Sequence, residues 1–593
     1  MPSVSSLFRS SNYRPPLQKP VEPTLLNGPI SSNNLYQGVR RSLSIGRPTL
    51  IAGLILAACS TTDSLPNYHA GDYADGPEMA VATPEAAVLT AGISRIAEVY
   101  FRPLNLTEVT VEGLNALAEF DPRLNFSADQ GVLRIDHAGR TAQILALPDT
   151  QRAENWAQLA TLALDVARSE STALASVERE ALLEAMFTGM TARLDRFSRY
   201  ASARKGSRER HIREGFGGVG LAFEHADGAF VVRSVFPDGP AYHAGLQTGD
   251  IIHSIDGQAT DDMTLTNVRD ELRGRVGTFV MVDVKRDGKL VEDFSLLRER
   301  VISNTVIGRM EDGIGIVTIE RFNAATEAHV RSAVAVIRQR LGDNFRGLVL
   351  DLRGNPGGLL EQAVAVSDLF IKRGRIIRTA GRHPESFQDF AADNLDILDG
   401  APMVVLVNGG SASAAEVVGA ALQETGRAVV VGSASYGKGS VQTVTRLPND
   451  GELFVTWSEI FTPDGHGLHE IGILPNICTS LGDWEQAKPA LESQIASRAK
   501  PTPSIWRNHI NLQDHASMDW ATMDHEMVAE IAALGRQDCP PSTKDTADDQ
   551  EIAKLLIGKP NLIAQISGDA TVFAASSSSP ISVSLATSLN GLR

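Results

Sequence analysis

Met403-Val-Val-Leu-Val407, Asn408-Gly-Gly-Ser-Ala-Ser413 and Ala414-Ala-Glu-Val-Val-Gly-Ala-Ala-Leu-Gln-Glu424 follow one another without interruption. The apolar run predicts a strand over 403–407, the Gly- and Ser-rich stretch a turn, and the last run a helix over 412–424. A strand that turns sharply into a helix places serine hydroxyls beside free N–H groups and the positive end of the helix dipole. That environment favours a developing negative charge, and the small residues around it leave room for a carbonyl group. A serine is a weak nucleophile without a base. Lys438, within Ser435-Tyr436-Gly437-Lys438-Gly439, is the candidate. Burial would have to bring its pKa from about 10.4 to about 7–8 for it to accept a proton. Gln442 lies four residues on, on the same face if the segment is a strand, and is a candidate to orient the Lys438 amine. Composition and periodicity do not choose among Ser411, Ser413 and Ser440.

Outward from this stretch, β-type and α-type runs alternate. Strands are predicted over 314–319, 347–352 and 428–431, and helices over 326–341 and 359–371. Alternation of this kind argues for an α/β layered core.

Gly410–Glu416 and Tyr436–Gln442 resemble the Ser and Lys motifs of the carboxy-terminal processing peptidases, also called tail-specific proteases. A third block, Leu350-Asp-Leu-Arg-Gly-Asn-Pro-Gly-Gly-Leu359, is similar to that family's as well. The resemblance implies Ser413 as nucleophile, Lys438 as general base and Gln442 beside it. It also implies an oxyanion hole from the N–H groups of Gly358 and Ala414. The expected chemistry is acyl transfer without metal or cofactor. Ala415 and Glu424 depart from the family's usual Ser and Asp. The family's core resembles the crotonase fold, so the expected architecture is α/β multidomain with a crotonase-like serine protease core over 301–485.

Residues 206–300 resemble a PDZ domain of the bacterial protease type. The match rests on Gly217-Gly218-Val219-Gly220-Leu221, Val231–Val235, Gly239-Pro240-Ala241, Gly249-Asp250-Ile251-Ile252 and Ile255-Asp256-Gly257, followed by a helix over 265–273. Gly217–Leu221 would receive a substrate's terminal carboxylate in a nest of backbone N–H groups, with the peptide added as a further strand.

Residues 81–205 carry helical periodicity over 86–100, 156–168 and 174–194, with a strand pair over 131–135 and 141–147. They read as a helical N-terminal domain without a catalytic constellation. Upstream, Arg40, Arg41 and Arg47 precede a short apolar run that ends in Leu56-Ala57-Ala58-Cys59. The pattern is that of a secretory signal, and its end resembles a bacterial lipobox. Acylation of Cys59 would anchor the chain in a membrane, and Ser60 favours the outer one. Residues 1–59 are thus a signal region, 60–80 a tether, and the expected location the periplasmic side of the cell envelope. An oxidising compartment permits a disulfide between Cys478 and Cys539, the two cysteines left once Cys59 is lipidated. Residues 486–593, ending in a Ser-rich stretch over 574–579, form a C-terminal extension outside the resemblance.

Three motifs lose on context. Gly215–Gly220 fits a dinucleotide fingerprint, but Leu221-Ala222-Phe223 follows where a helix should start. Gly432–Lys438 lacks the Ser or Thr that a P-loop needs, since Gly439 stands there. His466, His469 and Glu470 miss the zinc-protease spacing. A net charge of −16 over 593 residues offers no basic surplus for nucleic acid. Protein or peptide substrates are the expected partners, and an adaptor protein or homo-oligomer stays open. The rival expectation is a non-catalytic PDZ adaptor lipoprotein of the cell envelope.

Overall fold

The computed structural model describes residues 83–236, 239–393, 395–465, 467–480, 533, 536–537, 539–545 and 547–567. Cys59 with its signal region, the tether, His466 and the 574–579 stretch lie outside the described residues. All described residues belong to one unit, Pro77–Arg593.

The N-terminal region is a helical layer with a small sheet. Helices α1 (Pro84–Val99) and α2 (Leu106–Asn115) start at Thr83 and Asn105, whose side chains accept backbone N–H groups of the first turn. Strands β1 (Leu124–Asp129), β2 (Val132–His137) and β3 (Arg140–Ala146) form an antiparallel meander. Helices α3 (Ala153–Glu170), α4 (Thr172–Ala175) and α5 (Arg179–Ala192) follow. Leu89, Ile93, Leu133, Trp156, Phe187 and Met190 meet in one core. The helix expected over 174–194 is two helices, because Glu178 is extended (ψ 142°). Leu174 and Leu182 face the same core from both pieces, so the periodicity runs on across the break.

This region does not stop at the boundary expected after residue 205. Strand β4 (Arg199–Ala201) and helix α6 (Ala203–Glu214) tie it to the core. Arg210 and Arg213 of α6 hold the buried Glu452 carboxylate, at 2.6 and 3.1 Å. Gly215, at φ 86°, ends α6 in a conformation that suits glycine.

The next module holds β5 (Phe216–Gly218), β6 (Leu221–Ala226), β7 (Ala229–Val235), α7 (Pro240–His243), β8 (Ile251–Ile255), β9 (Gln258–Ala259), α8 (Leu265–Leu272), β10 (Phe279–Arg286), β11 (Lys289–Leu297) and β12 (Glu299–Val301). Its main sheet runs β11-β10-β8-β7-β6, which leaves β6 at an edge. Strands β5 and β12 pair as a separate two-stranded ribbon at the module's two ends.

The core alternates as expected: β13 (Val306–Glu311), β14 (Ile314–Ile319), α9 (Thr326–Leu341), β15 (Gly347–Asp351) and α10 (Leu360–Asp368). Strands β16 (Arg375–Ala380) and β17 (Gln388–Ala391) intervene before β18 (Met403–Val407), α11 (Ala414–Glu424) and β19 (Val429–Gly432). Strands β20 (Ser440–Arg446), β21 (Glu452–Phe461) and β22 (Ile477–Cys478) end the succession. One sheet has the order β13-β14-β15-β18-β19-β22, parallel except at β13. A second, β17-β16-β21-β20, takes up β4 through β21.

The parallel strands are apolar on both faces because both are covered. Val317, Leu350, Val405 and Val430 meet α9, α10 and α11. Ile316, Val349, Leu406 and Val431 point the other way, onto Ile552, Leu556 and Ile563. Those last residues belong to helices α12 (Ala547–Ile557) and α13 (Pro560–Ser567). Each such aliphatic side chain stabilises its layer by about 1.5–3 kcal/mol on full burial. Part of the C-terminal extension is therefore the second layer of the core.

Candidate active site

Strand β18 delivers the chain into the 408–413 turn, and helix α11 begins at Ala414 rather than at 412. Ser413 is the residue just before the helix and sits at φ 54°, ψ −113°, a strained backbone for a residue with a side chain. Ser411 is already committed: its hydroxyl donates to the Leu352 carbonyl (2.8 Å) and accepts from the Asn408 N–H (2.9 Å). Ser440 accepts from the Gln442 amide (2.9 Å). Of the three serines, Ser413 stands at the turn's apex with its backbone strained.

The β15–α10 loop packs against this apex. Asn408 Oδ1 accepts the N–H groups of Gly354 and Gly410, each at 2.9 Å. The Asn355 carbonyl accepts the Ala412 N–H (2.9 Å), and Asn355 Oδ1 accepts that of Gly357 (2.8 Å). The approach is close enough to require glycine. A Cβ on Gly357 would lie 2.8 Å from Ser413 Cβ, and one on Gly358 would lie 1.9 Å from the Phe322 carbonyl oxygen. Neither the Gly358 nor the Ala414 N–H donates to an acceptor among the described residues. Both are thus available to a ligand oxygen beside Ser413.

Glu416, one turn into α11, has no solvent exposure and links the serine turn to the lysine loop. Its carboxylate accepts from Ser435 Oγ (2.5 Å) and from the N–H groups of Gly437 (2.6 Å), Ser413 (2.7 Å) and Lys438 (2.8 Å). Burial raises its pKa above the usual carboxylate range, and these four donors oppose that rise. In the sequence Glu416 stands out only as the last residue of the Gly410–Glu416 block, which does not show that it clasps the two loops. A fully apolar helix face carrying one acid is the signal that pointed to it.

Lys438 precedes β20, with its ammonium nitrogen 5.1 Å from the centroid of the Phe197 ring. Burial, with Arg199 as the second cause, pulls its pKa below the ordinary lysine range, against the pull of Asp195 and Glu416. No hydrogen bond joins Lys438 to Ser413 in this conformation. Gln442 differs from expectation too: its amide donates to Ser440 Oγ (2.9 Å) and Thr456 Oγ1 (3.2 Å), not towards the lysine. Thr456 in turn donates to Asp195 (3.0 Å). Asp195, Phe197 and Arg199 belong to the region read as having no catalytic constellation. They lie more than two hundred residues from Lys438 in sequence, and no spacing rule reaches that far.

In the PDZ-like module the expected carboxylate loop divides. Gly217 and Gly218 are locked in β5 against β12. Val219 and Gly220 form the turn, and their N–H groups donate to no acceptor among the described residues. Gly220 adopts φ 75°, and Leu221 opens the edge strand β6. Cys478 and Cys539 are joined as a disulfide, with Cα atoms 5.8 Å apart. Among the described residues no group of three or more His, Cys, Asp or Glu could hold a metal ion.

Comparison with known proteins adds the family. Residues 313–479 match the model of peptidase family S41, and residues 231–286 that of a PDZ domain. The carboxy-terminal-processing protease of Bartonella bacilliformis is 38% identical over 299 residues, 50% of this chain and 69% of that protein. The carboxy-terminal processing protease CtpA of Bacillus subtilis is 32% identical over 306 residues, 51% of this chain and 65% of that one. The solved photosystem II D1 C-terminal processing protease aligns at 24% identity and TM-score 0.33, over 67% of this chain and 93% of that one. The chain belongs to the carboxy-terminal-processing serine proteases of peptidase family S41, in a form that carries a PDZ domain.

Proposed function

We propose that Ser413 attacks the scissile carbonyl of a protein or peptide near its C-terminus, with neutral Lys438 taking the hydroxyl proton. The N–H groups of Gly358 and Ala414 hold the oxyanion, and water resolves the acyl-enzyme. The observation that carries this reading is the junction at Glu416, where one buried carboxylate binds the backbone of both Ser413 and Lys438. The lysine's lowered pKa supports its role as base. To act, the Lys438 side chain turns from the Phe197 ring onto the serine hydroxyl, a rotation its flexible four-carbon stem allows. Gln442 is then a neighbour that fixes Ser440 and Thr456 rather than a direct partner of the amine.

The PDZ module supplies the substrate's other end. Val219, Gly220 and Leu221 offer the N–H groups for a terminal carboxylate, and the free edge of β6 takes the preceding residues as an added strand. Lipidation of Cys59 would keep the enzyme on the periplasmic side of the cell envelope, within reach of exported proteins.

The test is cleavage of a C-terminally tagged peptide by wild type and by Ser413→Ala. We expect loss of hydrolysis in the variant. Substantial cleavage by Ser413→Ala would remove the serine from its assigned role, and membrane partitioning unchanged by Cys59→Ser would remove the anchor.

A further inference from the structure

The C-terminal extension touches each of the three loops that make up the proposed site. Arg536 reaches the lysine loop, where its Nη2 donates to the carbonyls of Tyr436 (2.8 Å), Glu470 (3.1 Å) and Ser435 (3.4 Å). Gly437 makes room for it, since a Cβ there would lie 2.7 Å from that nitrogen. Ser542 reaches the serine turn: its carbonyl accepts the Gly409 N–H (2.7 Å), and its own N–H donates to Ser433 Oγ (3.0 Å). Asp545 accepts from the Asn408 amide (2.9 Å), the same side chain that orders Gly354 and Gly410. Asp549 reaches the oxyanion loop through Arg353 (3.0 Å), inside a buried triad completed by Asp351 (2.7 Å). The Cys478–Cys539 disulfide lies between the first two contacts and bonds the extension to β22, whose partner β19 runs directly into the lysine loop.

We propose that Arg536, Cys539, Ser542, Asp545 and Asp549 act as a strap that positions the catalytic loops, with Arg536 as the positioning residue for the Lys438 loop and the disulfide holding Arg536 in place. The inference rests on the Ser413–Lys438 reading of the site. Physically, three loops from different parts of the chain carry groups that act only when aligned, and backbone hydrogen bonds join them to one another. A segment that hydrogen-bonds all three fixes their relative positions before substrate arrives. Arg536 suits the task because one guanidinium nitrogen, Nη2, carries a permanent positive charge to three backbone carbonyls that converge on it. Those carbonyls flank Gly437, whose N–H and that of Lys438 bind Glu416 from the other side. The lysine loop is therefore gripped on both sides, by Glu416 within the core and by Arg536 from the extension.

The experiment measures steady-state hydrolysis of a tagged peptide against pH by full-length enzyme. It compares wild type, Arg536→Ala, Arg536→Lys, the double variant Cys478→Ser/Cys539→Ser, the triple combination with Arg536→Ala, and Ser413→Ala. Circular dichroism checks that each is folded. For Arg536→Ala we expect kcat to fall by about 10- to 100-fold, the scale of a displaced catalytic group, with KM within about twofold. The acid limb of kcat should also move to higher pH, because a loosened loop admits water to Lys438 while Arg199, Asp195 and Glu416 still face it. A variant that merely loosened the fold would not move that limb. Arg536→Lys should recover part of both changes. The double cysteine variant should lose activity in the same direction, and adding Arg536→Ala to it should cost little more, since both act through one contact. Wild-type kcat and acid limb in a folded Arg536→Ala would overturn the proposal. So would losses from Arg536→Ala and the double cysteine variant that simply multiply. Residual activity in Ser413→Ala would instead refute the dyad. An inactive Ser413→Ala beside an unaffected Arg536→Ala would refute the strap alone.

Discussion

Replacing Glu416 with Gln keeps the shape of the clasp and removes its charge, which makes the cost calculable. The carboxylate accepts four hydrogen bonds, two on each oxygen. An amide has one oxygen, so two donors lose their acceptor whichever way it turns. With the NH2 group placed towards Ser413 and Lys438, two fixed backbone N–H groups are opposed. Placed towards Ser435 and Gly437, only the Gly437 N–H is fixed, because the Ser435 hydroxyl can rotate. The second orientation is therefore the cheaper. It leaves one buried N–H unsatisfied, about 1–3 kcal/mol, and weakens the two remaining bonds from charge-assisted to neutral strength, about 1 kcal/mol each. Relief of a buried charge offsets part of this, leaving an expected destabilisation of about 2–4 kcal/mol. The Gly437 side is the one that moves, and it carries Lys438 with it. We expect kcat to fall by about 100-fold through misplacement of the base, with little change in KM. Urea unfolding followed by circular dichroism reads the first quantity, and peptide hydrolysis the second. A Glu416→Gln enzyme with wild-type kcat and an unshifted unfolding midpoint would show that the clasp does not set the geometry of the site.

Four further outcomes follow from the same site. The lowered pKa of Lys438 means that kcat should rise with pH through an acid limb below the ordinary lysine range near 10.4. The fold bears the cost of burying the ammonium, so the unfolded chain binds more protons and stability rises with pH between the folded and unfolded values. Lys438→Met should accordingly be inactive yet melt at a higher temperature than wild type at neutral pH, a gain that shrinks as pH rises from the lowered folded value and is gone above about pH 10.4. Equal melting temperatures at neutral pH would argue against a buried, destabilised ammonium. Gly358→Ala places a Cβ against the Phe322 carbonyl, so the loop must shift from its present position. Loss of that oxyanion donor should lower kcat by about 100- to 1,000-fold, and a kcat within a few-fold of wild type would discard Gly358 as a donor. Phe197→Ala opens the lysine's apolar side to water, so the acid limb should shift upward with a loss of kcat of about tenfold. An unmoved limb would mean that the ring contributes nothing to the lysine's environment.

Much of the candidate site is legible in the sequence because its parts are local. The serine turn, the lysine loop and the glycine-rich block after β15 each lie within about ten residues, and each is specified by small residues that a close approach requires. The α/β alternation was legible for the same reason, since periodicity is a local property. Helix α11 began two residues later than periodicity suggests, because Ala412 is apolar enough to extend the pattern while the turn's hydrogen bonds hold it outside the helix. Helix α2 mixes Thr and Glu with its apolar residues, which blurs its periodicity, whereas β1 alternates apolar and polar residues from Leu124 to Asp129 and was missed although its pattern is clear. Lys438 lies before β20, so strand alternation does not relate it to Gln442, whose neighbours Ser440 and Thr456 are set by the register of β20 against β21.

The sequence alone determined the candidate residues and the order in which they stand: Ser413 ahead of a helix, Lys438 between glycines, Gly357 and Gly358 where no side chain fits. It also determined the membership of the family, because those blocks are short and dense in constraint. The tertiary structure alone decided what surrounds them. Phe197 and Asp195 arrive at Lys438 from the N-terminal region, Arg536 and Asp549 from the extension, and Ile552 and Leu556 close a face of the sheet that the core leaves apolar. The reason is that desolvation, charge pairing and layer packing act over distances in space, while the patterns a sequence displays are bounded by the few residues that one turn or one strand can bring together.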